Sequence, residues 1–168
     1  QTIVASREYI SEHMLSNLSS DNRSEQLHTL ELTHCKLKKS FPNIGNLHNL
    51  RICKLSHNEI IVIKKASFNE MGGMNVEWLV CDHNKLEALD PRAISSEFLP
   101  QLKVLNFAHN KLSFLPQDFS SGLENLRYLD LSYNKLQQLP DALANCRSLQ
   151  LCFLQSNELS KLPAGIGR

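Results

Sequence analysis

Leu126–Leu136 reads LRYLDLSYNKL, and this stretch decides the fold. Apolar residues stand at Leu126, Leu129, Leu131 and Leu136, with Asn134 between the last two. Leu129 and Leu131 are two apart, so in an extended chain they share one face. Asn134 then ends the strand. Its short carboxamide bonds to the backbone of a turn and tolerates unusual dihedrals.

The pattern recurs along the chain. Leu27–Leu37 is LHTLELTHCKL, with Cys35 in the asparagine position. Leu50–Ile60 is LRICKLSHNEI, Val76–Leu86 is VEWLVCDHNKL, Leu102–Leu112 is LKVLNFAHNKL and Leu149–Leu159 is LQLCFLQSNEL. With the opening stretch there are six units, starting 23, 26, 26, 24 and 23 residues apart. The form L-x-x-L-x-L-x-x-N-x-L at this spacing resembles the leucine-rich repeat family, whose period is about 20–29 residues. The return segments, such as QQLPDALANCRS after the fifth strand, are similar to intracellular repeats of the Ras-interacting and plant types. Pro140 and Pro163 there block strand continuation and start a turn.

That resemblance implies an α/β leucine-rich repeat solenoid with a curved, parallel, concave sheet of about six strands. Strands about 4.8 Å apart give a ribbon roughly 24 Å long. Positions 26–168 form the repeat domain, with further repeats or a C-terminal cap expected beyond Arg168. Positions 1–25 do not follow the repeat and are expected to be an N-terminal helical cap. Ile10, Met14 and Leu18 fall at helical spacing within a helix expected over Ala5–Leu18. Such a cap covers the apolar end of a repeat stack. The longer return segments, Ile61–Asn75 and Glu87–Gln101, are expected to bulge on the convex side or its edges. In the second of these, Asp90-Pro91 opens a short helix over Arg92–Phe98.

Composition narrows the function. The aromatic share is only 7%, so the core is expected to be aliphatic. Lys plus Arg is 18 and Asp plus Glu 17, a net charge of +1. That balance argues against a nucleic-acid or membrane-surface protein. The longest uncharged apolar run, about Glu59 to Lys64, is far too short to span a bilayer. Five cysteines, Cys35, Cys53, Cys81, Cys146 and Cys152, make a poor disulfide framework. On the repeat they read as small buried hydrophobes, which suits a reducing compartment and a cytoplasmic location. Two sequons, at Asn17 and Asn22, read as chance matches in a polar segment.

Residues between the inward leucines carry whatever function exists. The first outward column holds Thr29, Ile52, Trp78, Val104, Tyr128 and Leu151. The second holds Glu31, Lys54, Val80, Asn106, Asp130 and Phe153. Ile52, Trp78, Val80, Val104, Tyr128, Asp130, Leu151 and Phe153 are therefore expected to bind a protein partner. An apolar stripe of this kind marks an interaction site, and Trp and Tyr are favoured anchors. The competing explanation is that β-branched and aromatic residues simply suit strands.

His34, His57, His83 and His109 form another column, each one residue before the asparagine position. Imidazoles that close resist joint protonation, so a pH-sensitive strip is one reading. A common repeat variant is the plainer one. A straight ladder does not surround an ion, so no metal is expected. There is no phosphate-binding loop, no His-Glu-x-x-His and no Cys-x-x-Cys. The expected function is a non-catalytic protein–protein interaction module, without cofactor, small-molecule substrate, nucleic acid or membrane insertion. The alternatives are a recognition or regulatory domain of a larger signalling enzyme (kinase, GTPase or phosphatase), or a secreted receptor ectodomain.

Overall fold

The computed structural model describes residues 1–7, 26–68 and 74–166. Seven strands make the main sheet: β1 (Thr2–Ser6), β2 (Thr29–Thr33), β4 (Ile52–Lys54), β6 (Trp78–Val80), β8 (Val104–Asn106), β9 (Tyr128–Asp130) and β10 (Leu151–Phe153). They lie side by side in that order, every neighbouring pair parallel. Each strand belonging to a repeat falls within its expected unit. The inward residues of these strands, from Leu30 through Cys53, Leu79 and Leu105 to Leu129, are fully buried.

A second parallel sheet stands on the return side: β3 (Lys38–Ser40), β5 (Glu59–Ile63) and β7 (Ala88–Leu89), in that order. The long second return segment thus begins by continuing β5. Ile60 and Ile63 point into the core while Ile61 is exposed.

The N-terminal expectation is corrected. Ala5 and Ser6 belong to a strand, and β1 pairs with β2 from Thr2↔Thr29 to Ser6↔Thr33. Ile3 and Ala5 alternate with Thr2 and Val4, and both pack against the core. The remainder of the expected helix, positions 8–18, lies outside the described residues. A second correction concerns Arg92–Phe98, which forms turns. Arg92 has φ 62°, which breaks a right-handed helix, and Ser96 N–H donates across to Ser121 O at 2.9 Å. Among the described residues there is no α-helix; the helical turns Lys65–Ser67 and Asp141–Asn145 are of the 3-10 kind. The solenoid is therefore built of parallel strands and turns, and the α/β label does not hold for these residues.

The core is not purely aliphatic either. Phe41, Phe68, Phe98, Phe107 and Phe119 are buried, and Phe68 lies 5.7 Å from Phe41 and 6.3 Å from Phe98, centroid to centroid. A few large rings fill the wide return side, where the strand side is packed with leucine.

Buried asparagines lock each turn. Asn84 Oδ1 accepts the Ile60 N–H at 3.1 Å, while its Nδ2 donates to Leu55 O and Cys81 O at 2.9 and 3.2 Å. Asn58, Asn110, Asn134 and Asn157 repeat that scheme. Every one of them bridges neighbouring repeats, so a carboxamide replaces the water that a buried turn would otherwise need. In the first repeat Cys35 takes the slot, and its thiol donates to Ala5 O at 3.4 Å. That contact ties β1 to the stack.

Candidate functional site

Strand register brings the outward columns together as the repeat predicts. Ile52 is paired with Trp78, Trp78 with Val104, Val104 with Tyr128, and Tyr128 with Leu151. One column over run Lys54, Val80, Asn106, Asp130 and Phe153. Trp78 is 43% exposed and Leu151 51%, whereas Ile52, Val80, Val104, Tyr128, Asp130 and Phe153 are half-buried. Strand β6, which carries Trp78, is the middle strand of the seven. Val4 of β1 adds a 62% exposed residue to the second column, outside the expected columns because positions 1–25 do not follow the repeat and are expected to be a cap.

The stripe is edged by polar contacts. Lys54 Nζ donates to Glu31 at 3.2 Å. Asp130 accepts from the Ser132 hydroxyl at 2.6 Å and, more weakly, from the Tyr128 hydroxyl at 3.4 Å. The Tyr128 ring tilts onto Phe153, with centroids 5.5 Å apart. Burial, then the Asp130 carboxylate, raises the Tyr128 phenol above its ordinary range. Tyr128 is thus held in place from both ends. Glu77 accepts from Lys103 at 2.7 Å and lies 3.7 Å from Arg51, so it is paired with a cation of the repeat on either side.

The four histidines stack. Ring centroids are 4.3 Å apart for His34–His57, 4.3 Å for His57–His83 and 4.2 Å for His83–His109, and Tyr133 continues the stack at 4.2 Å. All five residues have left-handed backbone, with φ between 51° and 58°. Histidine tolerates this region better than most side chains, which accounts for its recurrence. The backbone fixes each position too: His57 N–H donates to Asp82 O at 3.1 Å and His83 N–H to Ala108 O at 3.0 Å. Crowding by its neighbours, then the charges of His83 and His34, lowers the His57 imidazole below its usual value, with Asp82 opposing.

Four of the five cysteines are buried and all five are free thiols. Cys152 departs from the expected pattern. It is exposed, and β10 is the last strand of the main sheet among the described residues. Burial pushes the Cys53 thiol up to about 12 and drives Cys81 up as well. Neither can supply a thiolate at neutral pH. No helix of the described residues is long and apolar enough to cross a membrane.

Comparisons with known proteins agree with this geometry. A family model described as leucine rich repeat matches residues 100–159. An adenylate cyclase of Podospora anserina is 34% identical over 134 residues, covering 67% of this chain but 6% of that protein. Among solved structures, a leucine-rich repeat protein of Leptospira interrogans superposes with a TM-score of 0.64 at 28% identity. The match covers 99% of this chain and 45% of that one. A chain from an octameric complex of Latrophilin 3, Unc5D and FLRT2 superposes with a TM-score of 0.61 at 22% identity, covering 99% and 56%. The chain thus spans a small part of the enzyme it matches and about half of each structure. Together with the six in-register units and the asparagine ladder, these matches make the chain a leucine-rich repeat protein.

Proposed function

We propose that this chain is a non-catalytic interaction module whose main-sheet face binds a protein partner around Trp78. The observation that carries the reading is the position of Trp78. The only tryptophan is 43% exposed on the middle strand, flanked by Ile52 and Val104 and rimmed by ionic and hydroxyl groups. An apolar centre with a polar rim is how protein interfaces are built, and tryptophan is among their strongest anchors. That a similar fold occurs in a multiprotein complex supports the same reading.

The test is capture on the immobilised chain, with bound proteins identified by mass spectrometry. Trp78→Ala combined with Tyr128→Ala is expected to lose a defined protein that the parent chain retains. Circular dichroism and melting temperature of the double variant should stay near those of the parent. If the folded double variant captures the same proteins, the concave-face reading is wrong.

The match to an adenylate cyclase favours a second, compatible reading, as a recognition region within a larger signalling enzyme. The domain content of the complete natural protein decides that point. A cytoplasmic location accords with five free thiols. A disulfide found by mass spectrometry in protein from its native source would overturn it and favour a secreted ectodomain.

A further inference from the structure

We propose that His57, Asp82 and His83 form a surface site for a divalent transition metal of the zinc type. One donor atom from each of the three residues lies within 4.8 Å of the other two. The two imidazoles come from successive steps of the histidine stack, 4.3 Å apart. Asp82 comes from the neighbouring outward column, so the third donor lies off the line of the ladder. That offset supplies what a straight row of rings lacks: donors on more than one side of an ion.

The carboxylate is already oriented. Asp82 Oδ1 accepts the Ser56 hydroxyl at 2.5 Å, and Oδ2 accepts the Nδ1–H of His83 at 2.8 Å. Zinc would take the place of the proton in this contact, so that Nδ1 of His83 and the Asp82 carboxylate beside it, already at ligand-to-ligand spacing, bind the ion together. Zinc bonds to nitrogen and oxygen are about 2.0–2.2 Å, so donors around one ion sit roughly 3–4 Å apart. Modest rotation closes the cluster, because His57 and His83 are both exposed. Imidazole nitrogen selects zinc, copper or nickel over magnesium and calcium, and water would complete the coordination.

Position along the ladder singles out this step. The column holding Asp82 offers Thr33, Ser56, Ala108, Ser132 and Gln155 at the equivalent sites. Among the described residues only Asp82 joins two stacked rings in such a cluster, so one ion at this step is the expected stoichiometry.

The experiment is calorimetric titration of the 168-residue chain with zinc chloride at neutral pH. It is done in a Cys152→Ser background, which removes the exposed thiol as a competing ligand. The histidines sit in left-handed backbone, so they are replaced by asparagine, which tolerates it. Saturable binding of one zinc ion is expected. His57→Asn, His83→Asn and Asp82→Asn should each weaken it about tenfold or more, and His34→Asn less than about twofold. A large excess of magnesium should not compete. Absence of saturable heat, an unchanged affinity in Asp82→Asn, or an equal loss in His34→Asn would overturn the site.

Discussion

The Asn110 carboxamide reaches back to Leu86, accepting its backbone N–H at 2.9 Å across two repeats. The same side chain donates to Cys81 O and to Phe107 O, both at 3.0 Å. Asn110 is only 9% exposed, so no water replaces these partners if the amide is removed. Each buried group left unpaired costs about 1–3 kcal/mol. Asn110→Ala is expected to lower the unfolding free energy by about 3 kcal/mol or more, read by urea denaturation. Asn157→Ala should cost less, because its partners near the last strand are only part-buried. Equal losses at the two positions would mean that burial does not set the value of the ladder.

Phe68 makes the matching prediction for the return side. It is 1% exposed and lies between Phe41 and Phe98. Truncating a buried phenylalanine typically costs about 3–5 kcal/mol, since the cavity relaxes only in part. Phe68→Ala should fall in that range by chemical denaturation. Phe114→Ala, at a side chain 54% exposed, should stay within about 0.5 kcal/mol of the parent.

The main-sheet strands were legible because their spacing repeats and their inward face is strictly apolar. Cys53 and Cys81 could be placed in the core from register alone. β1 was hidden because TIVAS is a single short alternation beside a stretch with helical spacing. The second sheet was hidden for a different reason: Lys38-Lys39-Ser40 has no apolar face, and only its pairing with β5 makes it a strand. Phe41, Phe68 and Phe98 do recur 27 and 30 residues apart, but an aromatic share of 7% carries no sign that the few rings gather on one side of the core. The histidine stack could be read as a column. Its neighbour Asp82 belongs to another column, and only the fold shows the carboxylate against the ring of His83.

Cys152 gives a chemical test of which thiols the fold buries. It is the exposed thiol, while Cys35, Cys53, Cys81 and Cys146 are buried. Yet partial burial, then the Asp130 charge, holds its pKa at about 11, so little thiolate exists near neutrality. A thiol reagent on the native chain should modify one cysteine, slowly, and the rate should climb roughly tenfold per pH unit between about pH 7 and 9. The other four should react only in denaturant. Peptide mapping that finds a second cysteine modified under native conditions would contradict the burial of the core thiols.

Glu77 gives the pH dependence. Lys103 donates to its carboxylate at 2.7 Å and Arg51 stands 3.7 Å away. The Lys103 hydrogen bond is the main cause that holds the Glu77 carboxyl below its ordinary value of 4.5, with partial burial acting against it. A carboxylate lowered in the folded state binds fewer protons there than in the unfolded chain. Its contribution is therefore present above pH 4.5 and is lost as pH falls through the folded value. The pair is solvent-screened, with side-chain exposures of 40% and 26% for Lys103 and Glu77, so its contribution is no more than about 1 kcal/mol. Glu77→Gln should thus destabilise the chain slightly at pH 7. The gap to the parent should close as the pH falls through the lowered folded-state value of Glu77, below which neither side chain carries a charge. High salt at pH 7 should narrow it as well. A gap that stays constant from pH 7 to below that value would show that Glu77 acts through packing and not through its charge.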